Sequence, residues 1–160
     1  MSSINLIPKE LADPIRKERG KKSRKDGKAF EVKVRKNLEN KGWIISKWGN
    51  NVELFTDEHD NQDIHTKEGK LIPAKSQYNP FFKRIVGEGS GFPDFIAFRI
   101  SGCNCDNQYR EIIGVECKTG RGLDKIEKDK CKWLIDNNIF SKILIAKKGE
   151  KRGEIIYEEY

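Results

Sequence analysis

The sequence predicts an α/β domain: a central mixed β-sheet flanked by helices in the order α-β-β-β-α-β-β. Two helical patterns and a set of short apolar runs carry that expectation. Phe30, Val34 and Leu38 recur every four residues in "KAFEVKVRKNLENKG", and Gly42 closes the segment. "LDKIEKDKCKWLIDNN" repeats the period, with Leu123, Ile126, Trp133 and Leu134 on one face. Between and after these helices lie "DFIAFRI", "EIIGVECK" and "KILIAKK", bounded by turn residues and of strand length. Strands interleaved with helices make a layered sheet the expected architecture.

Taken in order, residues 1–26 form a basic arm, a mobile tail or a solvated helix start. It either touches phosphates or only solubilises the chain. Residues 27–160 then form one domain. The first helix leads into a strand at "WIISKW", residues 43–48. Residues 49–90 read as a loop-rich insertion, a short hairpin or loops facing a substrate. His59 and His65 fall there as exposed histidines. Strand 94–100, a turn at "SGCNCDNQYR" and strand 111–118 make a hairpin. The loop "TGRG", the second helix, a buried strand at 142–148 and an edge strand within 153–160 complete the chain. No internal repeat or interdomain linker is evident.

The composition narrows the function. Charged residues make up 36% of the 160, and the formal net charge is +7. That balance points to a polyanion, with nucleic acid first and an acidic membrane surface second. No apolar run approaches the roughly 20 residues that span a bilayer. The start "MSSINLIPKE" lacks the apolar stretch of a secretion signal, so a cytoplasmic protein is expected, or one of the host cytoplasm if virus-encoded. The four cysteines, Cys103, Cys105, Cys117 and Cys131, read as reduced thiols.

Chemistry concentrates around "FPD" and "VECK". Side chains alternate along a strand, so Glu116 and Lys118 share a face about 6.6 Å apart, while Val115 and Cys117 point into the apolar layer. Asp94 opens the neighbouring strand of the hairpin, where its carboxylate can lie across from Glu116. Taken singly, Asp94 could be a turn residue after Pro93, and Glu116 with Lys118 a plain ion pair. Taken together, two close carboxylates repel unless a cation joins them. A hard divalent ion needs few carboxylates, a backbone carbonyl, water and phosphate oxygens. Asp94, Glu116 and the Cys117 carbonyl supply that set, with Lys118 beside it to orient or deprotonate a water or to stabilise charge on a phosphate.

"FPD" ending at Asp94, followed 22 residues on by "ECK" from Glu116 to Lys118, resembles the P-D…(D/E)-x-K signature of the PD-(D/E)XK nuclease superfamily. The look is that of its Holliday-junction-resolvase-like and virus-type replication-repair modules, over about Lys28 to Ala146. The resemblance implies a restriction-endonuclease-like fold and hydrolysis of phosphodiester bonds in DNA with Mg²⁺ or Mn²⁺. Branched or flapped DNA is a candidate substrate, and cutting a junction would call for a homodimer. Glu31 matches a first-helix glutamate that reaches the metal in many members. Gly89 and Gly91 match a glycine-rich approach that lets the backbone come close to a substrate. "TGRGL" matches a loop after the E-x-K residues. Lys130 departs from the pattern, standing where members carry a glutamine three before a tryptophan. It falls on the apolar stripe, as a phosphate- or water-positioning group or as a lysine whose stem is buried. Arg121, Lys83, Arg84, Lys75 and Lys28 are candidate phosphate contacts, with solvated surface charges as the alternative. The rival readings are an inactive nucleic-acid-binding module of the same fold, a restriction-type sequence-specific endonuclease, and an interaction protein of another fold.

Overall fold

Two helices flank a five-stranded mixed sheet in the computed structural model, which describes residues 9–55, 68–75, 78–79, 83–85, 91–104 and 107–160. The sheet has the order β1-β6-β7-β8-β9, from β1 (Ile44–Lys47), β6 (Phe95–Asn104), β7 (Asn107–Lys118), β8 (Lys142–Lys148) and β9 (Ile155–Glu159). Strands β7 and β8 run parallel, joined by a crossover through helix α2 (Lys125–Asp136). The other neighbours are antiparallel. Strand β9 stands at the edge, as its mixed composition leads one to expect.

Alternation along the strands builds two cores. Phe30, Val34 and Leu38 of helix α1 (Lys9–Asn40) pack on Ile45, Phe95, Ala97, Ile113, Val115 and Ala146. On the opposite face, Cys131 and Leu134 of α2 pack with Phe92, Phe140, Ile143 and Ile145. Both helical periods in the sequence thus find their sheet face. The insertion contributes β2 (Asn50–Leu54) paired with β3 (Gly69–Pro73), and β4 (Tyr78–Asn79) paired with β5 (Arg84–Ile85). His59, His65 and Gly89 lie outside the described residues.

Three expectations are sharpened or corrected. Helix α1 begins well before Lys28: of the two readings of the basic arm, a mobile tail or a solvated helix start, the helix holds from Lys9 and runs through Gly20 and Gly27 without a break. Isolated glycines weaken a helix without ending it, and the lysines, arginines and glutamate around them are good helix formers. Of the expected turn 101–110, residues 101–104 and 107–110 are strand instead. The ladder continues past a bulge between Ile100 and Gly102, with Gly102 opposite Tyr109, Cys103 opposite Gln108 and Asn104 opposite Asn107. A polar composition reads as loop, yet the hydrogen bonds of the ladder come from the backbone and here extend the hairpin past the apolar run. Ile126 is not a core residue, being 63% exposed. The inward stripe of α2 runs through Glu127, Cys131 and Leu134, at spacings of four and three, so Ile126 lies one position off it.

Gly91 fits its surroundings for a reason other than substrate access. It is buried, and a Cβ there would sit 2.2 Å from the Trp48 carbonyl oxygen and 2.5 Å from that of Asn50. Backbone bonds from Phe92 N to Asn50 O (2.9 Å) and from Trp48 N to Asp94 O (3.2 Å) hold the segments together. The glycine lets the approach to Asp94 dock on the β1–β2 junction, which fixes where the aspartate stands.

Candidate active site

The site forms where β6 begins and β7 ends. Phe95 pairs with Val115, so the next positions outward, Asp94 and Glu116, face each other across the hairpin. Each carboxylate is held by the other strand's backbone. The Asp94 amide donates to Glu116 Oε2 at 3.1 Å, and the Cys117 amide donates to Asp94 Oδ2 at 3.0 Å. In an extended strand the N–H and C=O of one residue leave on the same edge, so the Cys117 carbonyl also faces the Asp94 side.

Glu116 is the one charged side chain among the described buried residues, at 7% exposure. Burial, and then the nearby Asp94 carboxylate, push its carboxyl up to about 7. Burial also raises the Asp94 carboxyl, against the hydrogen bond from Cys117 and the charge of Lys47. Lys118 answers part of this. Its Nζ lies 3.0 Å from Glu116 Oε1 and 2.5 Å from Glu127 Oε1. Burial would lower the Lys118 pKa, but the bonds to Glu127 and Glu116 outweigh it and the ammonium is held above its ordinary value. The two carboxylates thus favour the charged form of Lys118.

Two contributors were not singled out from the sequence. Lys47, at the end of β1, places its Nζ 2.9 Å from Glu31 Oε2 and 3.5 Å from Asp94 Oδ1. Glu31 thus reaches the site through Lys47, from its half-buried place on α1. Glu127 belongs to a capping box. Its backbone N–H bonds Asp124 Oδ1 at 2.8 Å, its Oε2 accepts from the Asp124 amide at 3.0 Å, and its Oε1 takes Lys118. The pattern D-x-x-E ahead of a helix was visible as "DKIE"; nothing in the sequence alone marks Lys47.

The other expected residues are placed as follows. Lys130 does turn inward, but its Nζ donates to Asn51 Oδ1 at 2.8 Å and lies 5.7 Å over the Phe92 ring, tying α2 to β2 beside the Pro93–Asp94 turn. Lys28, Lys75, Lys83 and Arg121 are exposed, and among the described residues none bonds a site carboxylate. The backbone of Arg84 lies in β5; its side chain is outside the description.

Whether a divalent cation suits these residues can be judged from charge. Glu31, Asp94, Glu116 and Glu127 bring four carboxylates, and Lys47 and Lys118 bring two ammoniums, leaving two negative charges uncompensated when all are ionised. Among the described residues no three His, Cys, Asp or Glu side chains close into a ready cage. A dedicated all-protein cage is not what Mg²⁺ requires, since it keeps several waters and takes one or two carboxylates. The donor set and the charge surplus fit such an ion. Among the described residues, no helix is long and apolar enough to cross a membrane. No protein-family model, curated protein or solved structure matches the chain.

Proposed function

We propose that this protein is a divalent-metal-dependent nuclease of the PD-(D/E)XK kind that hydrolyses phosphodiester bonds in DNA. One observation carries the reading: Asp94 and Glu116, two half-desolvated to buried carboxylates, are locked together by each other's backbone with Lys118 alongside. A protein gains little from leaving such a pair short of positive charge unless a cation is to join it. Asp94, Glu116 and the Cys117 carbonyl would hold Mg²⁺ or Mn²⁺. When bound, the ion would polarise a phosphoryl oxygen and acidify a water.

The chain's own residues supply the rest. The Asp94 and Cys117 amides fix the two carboxylates so that little rearrangement is needed on binding. Lys118, aimed by Glu127, offers its N–H groups to a phosphate oxygen and opposes the negative charge that grows there. Lys47 holds Glu31 and Asp94 at one corner of the site. Lys130 acts at one remove, through Asn51 and Phe92, on the turn that carries Asp94.

The deciding assay is cleavage of duplex, single-stranded, flapped and four-way DNA with Mg²⁺ or Mn²⁺. Wild type is expected to cut at least one, and Glu116→Ala to lose the activity on the order of 10²-fold or more. If the two proteins behave alike on every substrate, the reading is lost. Calorimetric titration of the metal separates an active enzyme from an inactive binding module, and solution molar mass tests the homodimer that junction cutting requires.

A further inference from the structure

The residues assigned to the reaction lie between Glu31 and Lys130, yet the charge of the protein lies elsewhere. Residues 16–28 hold eight lysines and arginines against two acids, a net +6 out of +7 for the whole chain. They form the stretch of α1 directly ahead of its packed half, about 19 Å of helix, and none of them is buried. All eight basic side chains are exposed. Lys17, Lys21 and Lys25 repel one another at spacings of four, as do Arg24 and Lys28, and Gly20 and Gly27 weaken the helix further. A helix that is polar all round and self-repelling draws no stability from a core, so a polyanion is the ligand that would hold it. The segment contains no apolar side chain except the glycines, so it has no face to lay into lipid.

One side of this overhang is shaped as well as charged. Arg19, Lys22, Ser23 and Asp26 share a helix face and, with Thr119 and Lys148, line a cleft of ≈ 280 Å³. Thr119 directly follows Lys118, and Lys148 ends β8, the parallel neighbour of β7. The cleft therefore opens beside the end of the strand that carries Glu116 and Lys118, with three cationic groups against one carboxylate.

We propose that this cleft grips the phosphodiester backbone of the nucleic acid as it leaves the Asp94–Glu116–Lys118 site; the inference rests on the nuclease reading of that site. Arg19, Lys22 and Lys148 contact successive phosphates, and Ser23 and Thr119 offer hydroxyl donors between them. The grip reads no sequence. It sets how much polynucleotide beyond the scissile bond the enzyme engages.

The test measures binding apart from cleavage. A labelled duplex of about 20 base pairs is titrated in EDTA across about 50–300 mM salt, in a Glu116→Gln background. One variant replaces the cleft residues, Arg19→Gln, Lys22→Gln and Lys148→Gln. The other removes equal charge from the opposite helix face, Lys17→Gln, Lys21→Gln and Arg24→Gln. All six side chains are exposed, so both variants fold. The cleft variant is expected to bind roughly 10- to 100-fold more weakly near 0.15 M salt, with the slope of log affinity against log salt reduced by about 2 to 3. The opposite-face variant is expected to lose about one in slope or less. Equal losses, no loss, or a cleft variant that loses binding to phosphatidylserine vesicles but not to DNA would overturn the proposal. If wild type cuts no DNA with any metal while the contrast between variants holds, the nuclease reading falls and the cleft stands; cleavage without the contrast does the reverse.

Discussion

Replacing Glu116 by glutamine should make the metal-free protein more stable at neutral and alkaline pH, although it removes a buried ion-pair partner of Lys118. The Glu116 carboxyl rises from the ordinary 4.5 to about 7 in the folded chain. Below pH 4.5 it is neutral whether the chain is folded or unfolded. Between 4.5 and about 7 the unfolded chain ionises it while the folded chain keeps the proton, so stability falls as pH rises. Above about 7 the full loss is in place. At about 1.4 kcal/mol per pH unit, it amounts to about 3 kcal/mol. Glutamine has no charge to bury. Its carbonyl can still accept from the Asp94 amide, and Lys118 keeps Glu127. Urea unfolding of wild type and Glu116→Gln in EDTA, from about pH 5 to 8.5, should give curves that diverge upward through the window. The variant should end about 2–3 kcal/mol ahead. Groups remote from Glu116, which titrate alike in both proteins, cancel in the difference. Parallel curves, or a variant less stable at pH 8, would refute the account of Glu116 as a buried charge that Lys118 compensates only in part. Millimolar Mg²⁺ should then stabilise wild type above pH 7 and leave Glu116→Gln nearly unmoved.

Lys47→Met removes the cation shared by Glu31 and Asp94. Because the lysine is 44% exposed, the metal-free loss should be modest, about 0.5–1 kcal/mol, and Mg²⁺ should raise the melting temperature of the variant more than that of wild type. Equal Mg²⁺ responses would show that Lys47 does not stand in for the ion. Gly91→Ala forces a Cβ against two carbonyl oxygens and should cost about 2–4 kcal/mol in urea unfolding. Gly27→Ala, which meets open space within α1, should gain up to about 1 kcal/mol in the same assay.

The sheet and its two helix contacts were legible because both faces are written in side-chain periods: Phe30, Val34 and Leu38 on one, Leu134 on the other. The pairing of Asp94 with Glu116 was legible for a related reason. Two strands joined as a hairpin bring their outer ends together, and alternation decides which charges share a face. Lys47 was not legible, since its role depends on Lys47 pairing with Phe95 across β1 and β6, strands that are far apart in sequence. That Lys130 turns inward was readable from its stripe. Its partner was not, because Asn51 lies 79 residues away on an insertion with no periodic signal. Ile126 misled because an apolar residue counts toward a stripe in a sequence, whereas here the inward position belongs to Glu127, already matched by Lys118.

The double use of Glu127 has a consequence for motion. One oxygen closes the first turn of α2 and the other holds Lys118, so the fraying of that turn and the freedom of the lysine are coupled. Whatever draws the ammonium toward a phosphate loosens its hold on the cap, and whatever melts the cap leaves the ammonium with Glu116 alone. Thermodynamic reciprocity makes the two effects equal in size. Amide hydrogen exchange over Lys125 to Lys128 therefore serves as a gauge of ligand occupancy, readable at a helix end.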